Sequence, residues 1–259
     1  MKFVDLNYCS ETATTITASS QDVSFPSSNL ANPLRSKVWR STGCVSESVT
    51  FDFATIVPID SIVLLWSKEN GPKLSSGATI TVQANATNVW TSPAYSQVAT
   101  INNTYSEVSV YPATSQSYRY WRILIADPSN PYGYVELGVA FIGQSIQIQN
   151  AQNGFRYVLT DLSVAQATPF GHSYVDVYPQ QASLSFSYAN MDYASVQTIE
   201  NSFRNRGTVK PVLVVLDPSG AVFNRDHLCV YGKFSTPFGS TQINYNLLTT
   251  DNIAIVELS

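Results

Sequence analysis

The chain has 259 residues, 44% of them hydrophobic and 12% charged, with 14 Lys and Arg against 18 Asp and Glu and a formal net charge of −4. That length and apolar content suffice for one large or two medium packed domains and exclude a disordered chain. The acidic balance supplies no basic stripe for phosphates, which argues against nucleic acid as a partner, and the low charge content leaves a neutral surface of Ser, Thr, Asn and Gln suited to permanent neighbours.

The chain opens with Asp5 where a secretion signal would carry its apolar core. No later apolar run approaches the roughly 20 residues of a membrane span, so the expectation is a soluble product made in the cytosol, with no membrane insertion. Short runs rich in Val, Ile, Thr, Tyr and Phe follow, at 48–53, 59–66, 79–83, 98–101, 108–111 and 120–126. Strands at this spacing without helical alternation predict an antiparallel β-sandwich. In 79–83, Thr79, Thr81 and Gln83 alternate with Ile80 and Val82, the pattern of a strand with one wet face, whereas 62–66 is apolar throughout and reads as central. The stretch 117–143 is the most telling. Apolar runs at 120–126 and 134–142 flank Pro128, Asn130, Pro131 and Gly133, which predicts two strands joined by a rigid turn.

Bulk and charge fall away over 143–153, placing a boundary that gives a sandwich over 1–145 and a smaller β-rich domain over 146–259. In the second half, 174–178 and 182–188 alternate as strands. A helix is predicted over 192–206: Asn190 or Asp192 can cap it, Val196, Ile199 and Phe203 share one face, Arg204 and Arg206 close the last turn, and Gly207 supplies the stop. Strands at 209–216, 228–234, 242–248 and 253–258 complete the chain, with 209–216 apolar enough to receive the helix.

Catalytic chemistry is sparse. Only His172 and His227 are present as histidines, and His172 and Asp176, four residues apart on a strand, stand about 13 Å apart at ~3.3 Å per residue. No nucleophile elbow, phosphate-cradling loop or metalloprotease helix motif appears, and Asp52, Asp60, Asp127 and Glu136 lie at separate strand ends. No catalytic residue, metal ligand set or cofactor is expected. Cys9, Cys44 and Cys229 form an odd, unspaced set that reads as reduced thiols. Aromatic residues carry more information. Trp90, Tyr132 and Tyr134, together with Trp66 and Tyr95, fall at strand ends or in loops, where rings either stack on sugar faces or cap the core and pack against neighbouring subunits. Trp39, Trp121 and Phe203 read as structural core.

Several segments in order, 27–30, 35–41, 49–53, 59–64, 77–80, 118–123 and 135–138, resemble discoidin-like, galactose-binding-like jelly rolls. The version with Tyr120-Trp121-Arg122, the turn from Asp127 to Pro131 and Glu136-Leu137-Gly138 looks like that of minor tail proteins of tailed bacteriophages. The second half, with 199–206 leading into 210–218 and then 230–234, is similar to the β domains of phage distal-tail and baseplate proteins. The resemblance implies a mainly β protein: a discoidin-like jelly-roll sandwich followed by a smaller, barrel-like β domain with one short helix. It also implies a structural component of a phage tail tip, located in the virion and assembled in the host bacterial cytoplasm. Its partners would be further copies in a ring and other tail proteins, the tail tube and hub. The sugar-contacting loop residues of carbohydrate-binding discoidin domains have no match here, so the resemblance does not carry sugar binding over; the alternative, read from the aromatic residues, is a carbohydrate-binding module that contacts host surface glycan through Trp90, Tyr132 and Tyr134.

Overall fold

The computed structural model describes residues 1–10, 15–68, 71–103, 105–146, 154–167, 170, 172–220, 226 and 228–258. Among them the first half forms β1 (Lys2–Val4), β2 (Thr15–Ala18), β3 (Trp39–Arg40), β4 (Glu47–Ile59), β5 (Ser61–Leu65), β6 (Thr79–Asn85), β7 (Tyr95–Val98), β8 (Glu107–Val110), β9 (Gln116–Ala126), β10 (Glu136–Leu137) and β11 (Val139–Gly143). Next come β12 (Arg156–Thr160), β13 (Val164–Ala167), β14 (Ser173–Asp176), β15 (Gln181–Phe186), α1 (Tyr193–Arg206), β16 (Val212–Val215), β17 (Cys229–Phe234), β18 (Ser240–Asn244), β19 (Leu247–Thr250) and β20 (Ile253–Glu257). The chain divides into two compact units, 1–147 with 213–229 and 148–212 with 230–259. The segment 213–229 thus clusters with the first unit although it follows residue 145, because β16 pairs antiparallel with β1, Val215 opposite Lys2.

The first unit is a sandwich of a five-stranded sheet, β2-β4-β9-β6-β7, and a three-stranded sheet, β11-β5-β8. Period-two alternation drives it: Phe51 on β4, Val82 on β6 and Trp121, Ile123 and Ile125 on β9 point inward. They meet Ile62 and Leu64 of β5, Val108 of β8 and Ile142 of β11 in one core. Trp39 and Trp121 are fully buried there, and their ring nitrogens donate to the carbonyls of Ser20 and Tyr118. Burying such rings, each removing on the order of 150–250 Å² from water, dominates the stability of a core this size.

Two long apolar runs are broken in the fold. The run 59–66 turns at Asp60, where the chain passes from β4 in one sheet to β5 in the other. The run 134–142 splits at Gly138, where the backbone passes so close to the Arg35 and Leu65 carbonyl oxygens that only a residue without a Cβ fits, and the Gly138 amide donates to the Leu65 carbonyl at 3.0 Å. The strand expected at 98–101 runs instead over Tyr95–Val98, paired with β6.

In the second unit β17, β20, β15 and β12 pair antiparallel in that order. Helix α1 starts where Asp192 accepts a hydrogen bond from the Ser195 amide at 2.7 Å and stops at Gly207, whose φ of 54° suits a residue without a Cβ. Val196, Ile199 and Ser202 form its buried face. Phe203 is half-buried; its ring lies 5.2 Å from that of Phe234 on β17 and 6.2 Å from that of Phe238. β13 and β14 pair only with each other as a separate hairpin, and β18 and β19 form another.

Candidate functional site

Strand register sorts the loops of the sandwich into two ends. Glu47 at the start of β4 pairs with Ile125 near the end of β9, Thr79 pairs with Ala126, and Leu65 pairs with Glu107 and Val139. The connecting residues 19–38, 66–68, 71–78, 99–103, 105–106 and 127–135 therefore gather at one end. At the opposite end lie the loop 86–94 and the irregularity of β4 between Asp52 and Val57.

At the first end the loop after β9 is built around Asp127. This fully buried carboxylate accepts from the Ser75 amide and hydroxyl and from Asn130 Nδ2. Asn130 Nδ2 also donates to the Lys73 carbonyl at 3.0 Å, and Asn130 Oδ1 accepts from the Tyr132 amide at 2.9 Å. Gly133 turns with φ of 73°, placing Tyr132 and Tyr134 side by side with ring centroids 6.1 Å apart and tilted by 42°. The turn read from Pro128 to Gly133 is thus held by hydrogen bonds to another segment, around Lys73 and Ser75.

Beneath the tyrosines sits Glu136, only 4% exposed. It receives Arg40 Nε and Nη2 on Oε2 at 3.2 and 3.0 Å and Lys73 Nζ on Oε1 at 2.8 Å. The Arg40 guanidinium carbon is 4.3 Å from the Tyr134 ring and 4.2 Å from the Phe25 ring, and Lys73 Nζ is 5.9 Å from the Tyr132 ring. Two cations tied to one buried carboxylate are thereby placed over three rings. Tyr132 keeps 54% of its surface exposed. Beside the Asp127 staple, a cavity of about 380 Å³ is lined by Ser75, Ser76, Thr100, Asn102 and Asn103. Flat aromatic surface next to fixed cations, hydroxyls and amides is chemistry that stacks against a sugar ring and hydrogen-bonds its hydroxyls.

The residues expected to act together are separated. Tyr132 and Tyr134 share this end, whereas Trp90 lies in the loop 86–94 at the other, where its Nε1 donates to Asn88 Oδ1 at 2.8 Å. Trp66 is not an exposed strand-end ring: it is buried, with Nε1 donating to the Glu136 carbonyl at 2.5 Å, because the strand end it occupies is covered by β10. Tyr95 leans on Trp121 with centroids 5.8 Å apart, and burial pushes its hydroxyl up to about 12. Phe25, Arg40 and Lys73 escape a reading of the sequence because they come from two loops and from β3, all far from Tyr132 in sequence; the only local signal is Arg40 following Trp39. The four carboxylates considered as a pair are dispersed: Asp52 binds Arg119, Asp60 binds Lys2, and Asp127 and Glu136 serve the loop staples. Among the described residues no group of three His, Cys, Asp or Glu side chains is placed to hold a metal ion. The three cysteines are free thiols, and burial raises Cys9 well above the usual thiol value.

Residues 15–137 match the F5/8 type C domain model. The protein is therefore mainly β, with a discoidin-like β-sandwich, one helix and an additional β-rich region. Similar solved structures include a fucose binding module of Streptococcus pneumoniae, at 12% identity over 54% of this chain and 98% of that one, with a TM-score of 0.43. The family 32 carbohydrate-binding module of C. perfringens NanJ in complex with galactose gives 12% identity over 55% and 98%, with a TM-score of 0.40. The lectin domain of lectinolysin complexed with Lewis B antigen gives 14% over 55% and 100%, with a TM-score of 0.45. No curated protein matches the chain.

Proposed function

We propose that the protein binds glycan without turning it over, through the loop end of its discoidin-like sandwich. The observation that carries this reading is the Tyr132–Tyr134 pair, held over Lys73 and Arg40 by one buried carboxylate. Rings fixed in this way lose little freedom when a sugar docks, which favours binding. A glycan array probed with the full chain tests it. Binding should be lost in the Tyr132→Ala, Tyr134→Ala double variant while the melting temperature holds; a response that survives both changes places the site elsewhere.

The second unit supports assembly with copies of the same chain, as in the tail-tip reading. Every residue of β13 and β14 is exposed, and Phe170 and Val177 beside them are 90% and 81% exposed. A lone two-stranded hairpin is marginal in water, and this one carries Val164, Tyr174 and Val175 on its surface. A neighbouring copy that covers the hairpin would bury these side chains, and repetition around an axis would make a ring displaying several glycan-binding ends. Sedimentation of the full chain should give a multimer that Val175→Asp dissociates. A monomeric parent chain removes the ring and, with it, the tail-tip role.

A further inference from the structure

The five-stranded sheet of the first unit has an outer face that the loop-end site does not use. Its outward positions on the central strands are Thr50 and Asp52 of β4, Tyr120 and Arg122 of β9 and Gln83 and Asn85 of β6, in register as Thr50–Arg122–Gln83 and Asp52–Tyr120–Asn85. Two guanidinium–ring stacks stand on it side by side. Arg119 lies 4.8 Å from the Tyr120 ring and is neutralised by Asp52 through two hydrogen bonds of 2.7 and 2.8 Å. Arg122 differs. Its Nε and Nη2 both donate to the neutral Gln83 Oε1, at 2.9 and 2.5 Å, and its carbon lies 4.6 Å from the Trp90 ring. No carboxylate faces Arg122 among the described residues, and Nη1 is neither bonded nor buried. Partial burial lowers its pKa from the ordinary arginine value.

We propose that this face is a second binding surface, for an acidic saccharide whose carboxylate pairs with Arg122 while its sugar rings lie along Trp90 and Tyr120. The spacing suits a chain of sugars. Tyr120 and Arg122 are two residues apart on one strand face, about 7 Å at ~3.3 Å per residue. The flanking side chains Thr50, Gln83 and Asn85 are neutral donors and acceptors matched to hydroxyls. An acidic peptide fits less well, because these are central strands with their backbone groups already paired, so no strand can be added. Gln83 orients the guanidinium, leaving Nη1 as the donor offered to the ligand. This inference does not rest on the loop-end reading, since the two surfaces share no residue.

The test is calorimetric titration of the full chain with hexagalacturonate, with a neutral glucan oligomer of equal length as the control. Binding to hexagalacturonate should weaken at least tenfold with Arg122→Gln and also with Trp90→Ala, weaken with added salt, and stay within twofold in the Tyr132→Ala, Tyr134→Ala variant. Trp90, on a loop, serves as the readout if Arg122→Gln unfolds. The proposal is overturned if hexagalacturonate does not bind, if the neutral oligomer or an oligoglutamate binds as tightly, or if the double tyrosine change abolishes binding while Trp90→Ala leaves it intact. The last outcome would move acidic saccharide to the loop end and leave the glycan-binding reading standing.

Discussion

Replacing Glu136 by Gln isolates what the buried carboxylate does for the loop end. The side chain keeps its shape, but Gln offers one carbonyl oxygen where the carboxylate offers two, so its amide nitrogen turns a donor toward either Lys73 or Arg40. One of the two charge-assisted contacts, 2.8 Å to Lys73 or 3.0 Å to Arg40, is thereby lost and replaced by donor facing donor. In a fully buried pair such a change costs about 3–5 kcal/mol. Here the Arg40 and Lys73 side chains retain 25% and 18% exposure and can swing to water, which reduces the expected loss to about 1–3 kcal/mol. The same swing releases the cation from its ring, so Tyr132 or Tyr134 gains freedom that a glycan must then remove. Affinity should fall by about tenfold, equivalent to ~1.4 kcal/mol. Urea unfolding followed by far-ultraviolet circular dichroism measures the first quantity, and titration with a glycan from the array measures the second. Unchanged stability together with unchanged affinity would refute the role assigned to Glu136. A stability loss with full affinity would show that the rings are positioned without it.

Trp121→Ala removes a fully buried ring that packs on Tyr95 and should lower stability by roughly 3–5 kcal/mol, read as a shift of about 1.5–2.5 M in the urea midpoint at a slope of ~2 kcal/mol/M. A variant that melts like the parent would contradict the packing of β9. Gly138→Ala should cost about 1–3 kcal/mol or more in thermal unfolding, since the new methyl meets the backbone of Arg35 and Leu65, which cannot swing aside. Stability should also depend on pH at both extremes. Burial raises Asp60, but hydrogen bonds from Lys2, Ser145 and Ser61 outweigh it and leave its pKa lowered. Its contribution is then present above the unfolded value of about 3.9 and lost as pH falls through the folded value, so Asp60→Asn should flatten the acid limb of the stability curve. At high pH the folded chain holds the protons of Tyr95, raised to about 12, and of Tyr188, raised further by burial, beyond the unfolded value near ~10; stability should fall as pH climbs from there.

Much of the framework was legible because it rests on local rules. Period-two alternation placed β6 and β9, and the capping and stop residues placed α1 within one residue at its start, with Asp192 rather than Asn190 as the cap. What the sequence conceals is where one chain segment crosses another. The need for glycine at 138, where the break falls, comes from the carbonyls of Arg35 and Leu65, and the turn at Asp60 from passage between sheets, so runs that looked continuous are divided. The site followed the same rule. Tyr132 and Tyr134 were visible as a pair around a glycine, but the cations under them arrive from segments separated by 33 residues in sequence, Arg40 on β3 opposite Glu136 and Lys73 in a loop, and no pattern in either segment marks them as partners of Glu136.

Trp90 makes the point from the other side. Composition grouped it with the tyrosines because all three are aromatic residues near strand ends, yet the antiparallel register puts the β6–β7 connection and the connection after β9 at opposite ends of the sandwich. Strand direction, which composition does not carry, therefore decides whether the aromatic residues form one site or two. On this register the rings at the loop end can meet a glycan presented head-on, while Trp90 can reach only a ligand lying across the sheet face. The two sets of substitutions should accordingly separate in any binding assay, and a ligand whose affinity falls equally with Tyr132→Ala and Trp90→Ala would be incompatible with the strand order itself.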